Sequence, residues 1–210
     1  MDPWPITIEV RRSLLSTFEG LDDADWEVPS LCGGWTIRQV LAHLILAARP
    51  PARRYLPAIA RAGGSFDEAN HSLAVADATR PTRQLLEDYR AVVDHRRLFP
   101  PGFTSQTAPL WDILLHTFDV RIPLGVETEE PAEHFEPVMR LLLSRAGGSL
   151  VPKGRPTVRW IATDHEWAHG SGPEVHGTIA DLALWASGRA AHIDELSGDG
   201  AQLVREWLTP

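Results

Sequence analysis

Residues 109–124 constrain the fold of this chain more than any other segment. Their sequence, PLWDILLHTFDVRIPL, is apolar on almost every side of a helix, so we expect this helix to lie buried in protein. Asp112, His116 and Asp119 are spaced by four and three residues and therefore share one helical face. Buried ionisable groups need partners. Other helices must therefore surround this segment, and its polar face must bind something.

Four further segments show the apolar spacing of helices. They cover residues 6–21, 36–48, 82–99 and 131–146, with a shorter helix ending near residue 60. Thr36 followed three residues later by Gln39 predicts a capping box at the start of the second helix. The polar segment 65–80 shows no clear pattern. Short connections predict an up-down bundle of four main helices with an extra one.

The pattern changes after Pro152. TVRWIATD alternates β-forming residues, and WAHGSGPEVHG is expected to form the return strand of a β-hairpin. An apolar helix, TIADLALWASGRAAHIDEL, and a short amphipathic helix, GAQLVREWL, follow. We therefore predict a mainly α chain, with a helical bundle over residues 1–150 and a small α+β domain over residues 151–210. The second domain is marginal in size and should dock on the first.

Composition excludes several classes of protein. The formal net charge of −8 argues against a nucleic-acid-binding protein. The sequence has neither a signal-peptide pattern nor an apolar run long enough for a membrane span, so we expect a cytoplasmic protein. Cys32 is the only cysteine, which rules out an intramolecular disulfide or a thiolate metal cluster. We interpret Cys32 as a buried structural residue.

The second helix carries His43 at the flank of its apolar face. Together with Asp112 and His116 this imidazole would complete a set of three ligands that zinc accepts, with a further position left for water or substrate. A simple Asp–His ion pair also explains the spacing on the fourth helix, and His43 lies beside it only if the bundle forms. Six other histidines are expected on the surface: His71, His95, His134, His165, His169 and His176.

Three segments, taken together, resemble a known family. DWEVPSLCGGWTIRQVLAHL and LWDILLHTFDVRIPLG resemble the metal-site motifs of the DinB-like metal-binding superfamily, and in particular of its mycothiol-dependent maleylpyruvate isomerase group. TIADLALWASGR is similar to a motif in that group's small, sterol-carrier-protein-like second domain. The resemblance implies a DinB-like four-helix bundle followed by this second domain.

The resemblance also implies a site. Its metal ligands would be His43, Asp112 and His116, with Asp where the isomerase has Glu, and the ion would be Zn²⁺ or alternatively Ni²⁺. Asp119 would support the site. Arg189 would hold a carboxylate of the thiol cofactor or the substrate, although an arginine that caps a helix C-terminus is an equal alternative.

The implied reaction is the activation of mycothiol, or another low-molecular-weight thiol, which then attacks a small electrophile in an isomerisation or a thiol transfer. Two alternatives remain open at this stage. One is a non-catalytic metal-binding or stress-response module, and the other is a metal-dependent hydrolase in which Asp119 is the candidate base. We expect small-molecule partners, no nucleic acid and no membrane, and either a monomer or a homodimer.

Overall fold

The computed structural model describes residues 2–96, 105–128, 130–145 and 147–209. The chain divides into two compact units, Met1–Thr128 and Glu129–Pro210. The sequence predicts a boundary at residue 150, whereas this division falls earlier. The reason is that the helix Ala132–Leu142 packs against the helix Ile179–Ala186 and so belongs with the C-terminal part of the chain.

The first unit is helical. Helices α1 and α2 each pack against α5 and α6, which gives a four-helix arrangement, while α4 packs against both α2 and α3. Its helices are α1 (Trp4–Glu19), α2 (Ile37–Ala48), α3 (Ala52–Arg61), α4 (Phe66–Asp77), α5 (Thr82–Arg90) and α6 (Ala108–Arg121).

Aromatic and aliphatic side chains fill the interior of this bundle. Phe18 of α1 stacks on Trp26, with ring centroids 5.7 Å apart, and meets the ring of Tyr89 from α5 edge-on at the same distance. Leu41 of α2 and Leu114 of α6 are completely buried. The burial of each such side chain contributes about 2 kcal/mol of hydrophobic free energy, so packing rather than polar pairing holds α2 and α6 in place.

Local hydrogen bonds and a glycine determine the conformation of the turn before α2. The Gln39 side chain accepts a hydrogen bond from the Thr36 backbone N–H at 2.9 Å, as the predicted capping box requires. Gly34 has φ of +81°, a conformation that favours glycine, and this explains the second glycine of the CGGW sequence. The Leu31 N–H donates to the backbone carbonyl of Asp119 at 3.2 Å, which fastens the loop to α6.

The segment that the sequence left unassigned is helix α4. Ser65 caps it by accepting a hydrogen bond from the Glu68 N–H at 3.2 Å, and acidic residues occupy its first turn. The buried side chains of α4 are those of Ala69, Ala74 and Asp77. None of them is a large apolar residue, so the sequence shows no helical period here. Helix α5 ends at Arg90, earlier than predicted, and the predicted end at residue 99 lies outside the described residues.

The second unit combines helices with one small sheet. The strands lie in the order β2-β1-β3, with β1 antiparallel to β2 and parallel to β3; Trp160 is paired with His169 on one side and with Val175 on the other. The elements are α7 (Ala132–Leu142), β1 (Arg159–Ala162), β2 (Ala168–Gly170), β3 (Glu174–Gly177), α8 (Ile179–Ala186) and α9 (Ala201–Leu208).

The predicted β-hairpin is therefore only part of a three-stranded sheet. Gly170 and Gly172 have φ of +92° and +107°, so the segment expected to form one return strand breaks into β2 and β3. The long helix predicted after it also ends early, at Ala186, where Gly188 with φ of +90° turns the chain. Among the described residues, no helix has the length and apolar character needed to cross a membrane.

Candidate metal centre

Two helices of the first unit bring three potential metal ligands together. Asp112 and His116 project from one face of α6, and His43 projects from α2, which packs against it. The Asp112 Oδ1 atom lies 3.2 Å from His43 Nε2 and 3.6 Å from His116 Nε2. The two imidazole rings meet nearly edge to face, with centroids 4.7 Å apart. One ligand atom from each residue lies within 4.8 Å of the other two.

These separations fit a metal ion of the size of zinc. Zn²⁺ bonds nitrogen and carboxylate oxygen at about 2.0–2.1 Å in tetrahedral geometry, which sets the ligand atoms about 3.3 Å apart. The two measured nitrogen–oxygen distances bracket that value. Both histidines are buried, and the Asp112 side chain is about one-fifth exposed, so the ligand set opens toward solvent at the carboxylate. Two imidazoles and one carboxylate are a donor set that zinc accepts.

The electrostatic environment keeps Asp112 ionised. Burial raises the pKa of this carboxyl group, but the charge of His43 and its hydrogen bond, the charge of His116 and the more distant Arg11 guanidinium together lower it further, to about 2. Arg11 is itself buried and donates to the backbone carbonyl of His95 at 2.8 Å. The carboxylate is therefore available as an anionic ligand at any physiological pH.

Asp119 lies one turn beyond His116 on α6 and contacts the other edge of its ring. The His116 Nδ1–H donates to Asp119 Oδ2 at 2.8 Å, and Asp119 is completely buried. A carboxylate is only an acceptor, so this bond places a proton on Nδ1. In the neutral imidazole the lone pair then lies on Nε2, the atom 3.6 Å from Asp112 Oδ1. The geometry is that of a carboxylate that orients a ligating histidine.

His43 has a different partner, which the sequence does not predict. Its Nδ1 atom lies 3.0 Å from Nδ2 and 3.4 Å from Oδ1 of Asn70, a residue of α4. The Tyr55 hydroxyl, from α3, donates to the same amide oxygen at 2.8 Å. Segment 65–80 shows no clear periodicity, so no sequence signal places Asn70 near the site. Asn70 could be placed beside His43 only once the packing of α4 against α2 was known.

Trp35 forms an aromatic wall beside the candidate ligands. Its ring centroid lies 5.1 Å from that of His43 and 6.1 Å from that of His116, and the residue is buried. On its other side Trp35 stacks on His71 of α4, and the indole N–H donates to His71 Nδ1 at 2.6 Å. His71 is exposed, as predicted, and its contacts with Trp35 help to hold that ring beside the site.

Cys32 lies closer to the site than the sequence suggested. Its Sγ atom and ligand atoms of His116 and Asp119 all lie within 4.8 Å of one another, and the residue is half-buried rather than fully buried. Arg189 lies in the second unit, just after α8, where its guanidinium donates to Ser187 Oγ at 3.1 Å. His134 of α7, expected on the surface, is buried with 8% exposure because α7 packs against α8.

Comparisons with known proteins point to one family. A family model described as the mycothiol maleylpyruvate isomerase N-terminal domain matches residues 9–119, a range that includes all three candidate ligands. A search of curated proteins finds no match.

Among solved structures, the chain is similar to a crystal structure of the mycothiol-dependent maleylpyruvate isomerase and to that of a histidine-to-alanine mutant of the same enzyme. Each has a TM-score of 0.63 and 14% sequence identity, over 94% of this chain and 93% of the other. At this identity the likeness concerns the fold. It confirms the predicted mainly α architecture with a DinB-like bundle and a small α+β part.

Proposed function

The chain belongs to the mycothiol maleylpyruvate isomerase family, and on that premise we propose that it binds a divalent metal ion and uses a low-molecular-weight thiol to act on a small electrophile. Mycothiol is the proposed thiol, and isomerisation or thiol transfer is the proposed reaction. The observation that carries the proposal is the convergence of His43, Asp112 and His116, with nitrogen–oxygen separations of 3.2 and 3.6 Å.

The ligand set suits this role. Zn²⁺ is the proposed ion, with Ni²⁺ as the alternative that imidazole ligands also accept. A bound divalent ion would lower the pKa of a coordinated thiol, which is ordinarily about 8.5, and so supply a thiolate at neutral pH. An ion held by three protein ligands would keep one coordination position for the sulfur of the cosubstrate.

The chain's own residues would hold and protect this chemistry. Asp119 keeps the proton of His116 on Nδ1, so Nε2 stays available. Trp35 lies beside both imidazoles, and its apolar ring would help to exclude water from a sulfur bound there. Arg189 is proposed to bind a carboxylate of thiol or substrate, since its guanidinium offers two parallel N–H donors.

The substrate chemistry is an addition followed by an elimination. The thiolate sulfur adds to one carbon of an activated carbon–carbon double bond, and the electron pair of that bond moves onto the activating carbonyl group. Rotation about the resulting single bond and expulsion of the sulfur return the double bond in its trans form and regenerate the thiolate. If the carbanion is protonated instead, the sulfur stays attached and the product is a thiol conjugate.

A hydrolase is less well supported. Such an enzyme needs a general base that faces the attacking water. Asp119, the candidate base, is completely buried and binds Nδ1 of His116, on the ring edge away from Asp112.

Two measurements test the proposal. Elemental analysis of the purified protein should find stoichiometric metal in the wild type and in Asp94→Ala, an exposed control, and little metal in His43→Ala or Asp112→Ala. The metal-loaded protein should then convert maleylpyruvate to its trans isomer, or conjugate a related electrophile, only when mycothiol is added.

The outcomes separate the alternatives. Wild-type protein without stoichiometric metal would refute the metal centre. Metal-loaded protein that shows no thiol-dependent turnover across a panel of electrophiles would support the non-catalytic module instead.

A further inference from the structure

The two histidines of the candidate centre differ in the partner of their second ring nitrogen. His116 Nδ1 faces a carboxylate, which only accepts hydrogen bonds. His43 Nδ1 faces the carboxamide of Asn70, which carries an acceptor oxygen and a donor nitrogen. One imidazole is therefore restricted to a single tautomer, while the other has a partner that suits either tautomer.

The distances show which tautomer of His43 suits its neighbours as they are arranged. Asn70 Nδ2 is the nearer amide atom, 3.0 Å from His43 Nδ1, so it donates to an unprotonated Nδ1. His43 Nε2 then carries the proton and donates to Asp112 Oδ1 at 3.2 Å. If His43 Nε2 bound a metal ion through its lone pair, the ring proton would lie on Nδ1, which would then need an acceptor.

We propose that Asn70 is the positioning residue of His43, and that its amide turns from donor to acceptor when a metal ion binds. This inference rests on the proposed metal site. Rotation of the amide by about half a turn exchanges the positions of its oxygen and nitrogen, since the two are nearly equal in size. The oxygen then accepts from Nδ1–H of His43 across the short 3.0 Å contact.

Tyr55 makes this exchange possible. Its hydroxyl donates to the Asn70 oxygen at 2.8 Å, and a hydroxyl accepts equally well from the amide nitrogen after rotation. Tyr55 is buried and its ring stacks on Phe66 with centroids 5.7 Å apart, so the hydroxyl is fixed in place. Burial first, and then the charge of Asp112, raise the pKa of Tyr55, which keeps the hydroxyl protonated.

Variants of Asn70 test the inference by metal affinity rather than by activity. Asn70→Leu removes donor and acceptor and should weaken Zn²⁺ binding about 10- to 100-fold in competition with a chelator. Asn70→Asp keeps the acceptor and should bind Zn²⁺ at least as tightly as wild type. Ser72→Ala, on the exposed side of the same helix, should bind like wild type. The visible spectrum of bound Co²⁺ should change in Asn70→Leu and be restored in Asn70→Asp.

The tautomer itself is observable in wild-type protein, so the inference is testable even if Asn70→Leu fails to fold. Long-range ¹H–¹⁵N correlation spectra should show His43 protonated on Nε2 without metal and on Nδ1 with Zn²⁺, while His116 stays protonated on Nδ1 in both. Unchanged affinity in a folded Asn70→Leu protein, or an unchanged His43 tautomer, would overturn the inference alone. Wild-type protein that binds no metal would refute the proposed function as well.

Discussion

Replacing Asp112 with Asn should make the free energy of unfolding of the metal-free protein less sensitive to a fall in pH. The pKa of Asp112 is lowered from 3.8 to about 2, because the histidines and Arg11 outweigh the effect of burial. A group whose pKa is lower in the folded state stabilises that state above its ordinary pKa, and this stabilisation is lost as the pH falls toward the folded value. The gap between the two pKa values corresponds to about 2 kcal/mol.

About half of that stabilisation, roughly 1 kcal/mol, should be lost between pH 5 and pH 3. The assay is urea unfolding with chelator present, at constant ionic strength. Wild type should lose about 1 kcal/mol more than Asp112→Asn over this interval, and the exposed control Asp94→Asn should follow wild type. Parallel curves for wild type and Asp112→Asn would refute the reasoning.

Three further changes have defined outcomes. Asp119→Ala should weaken metal binding about 10- to 100-fold by chelator competition, since His116 Nδ1 loses its acceptor, and an unchanged affinity would contradict this role. Gly177→Ala should destabilise the second unit by about 1–3 kcal/mol in urea unfolding, because a Cβ there would lie 2.5 Å from the Trp185 ring; equal stability would show that the ring moves freely. Thr178→Ala removes the cap that accepts from the Asp181 N–H and should cost about 1 kcal/mol, whereas Thr178→Ser should retain most of that stability.

The helices with strong apolar periods were predictable from the sequence. Helices α2 and α6 carry many buried aliphatic residues, and their positions agree with the structure to within a few residues. Helix α4 was missed because it packs mainly through Ala69 and Ala74, whose small side chains give no clear pattern. The third strand was missed because the direction in which a chain returns after Gly172 depends on long-range pairing rather than on local composition.

In the candidate centre, too, local spacing was predictable from the sequence and contacts between helices were not. The spacing on α6 indicated that Asp112, His116 and Asp119 share a face, since helical geometry alone decides this. The place of His43 depended on the packing of α2 against α6, for which the sequence supplied a resemblance rather than a derivation. The roles of Asn70 and Tyr55 could not be predicted. A polar side chain on a half-exposed helix is expected to contact solvent unless the neighbouring helix is known.

The candidate ligands project from helices that are held together by apolar packing. On α6, Leu110 and Leu114 are fully buried beside Asp112, and Ile37 and Leu41 of α2 are fully buried near His43. Apolar burial therefore offsets the entropy that is lost when these helices become ordered. In a zinc finger only the binding of the metal offsets that loss. An ion bound at the candidate centre would then be exchangeable, so the supply of metals in the cell, rather than the survival of the fold, would determine which one the protein carries.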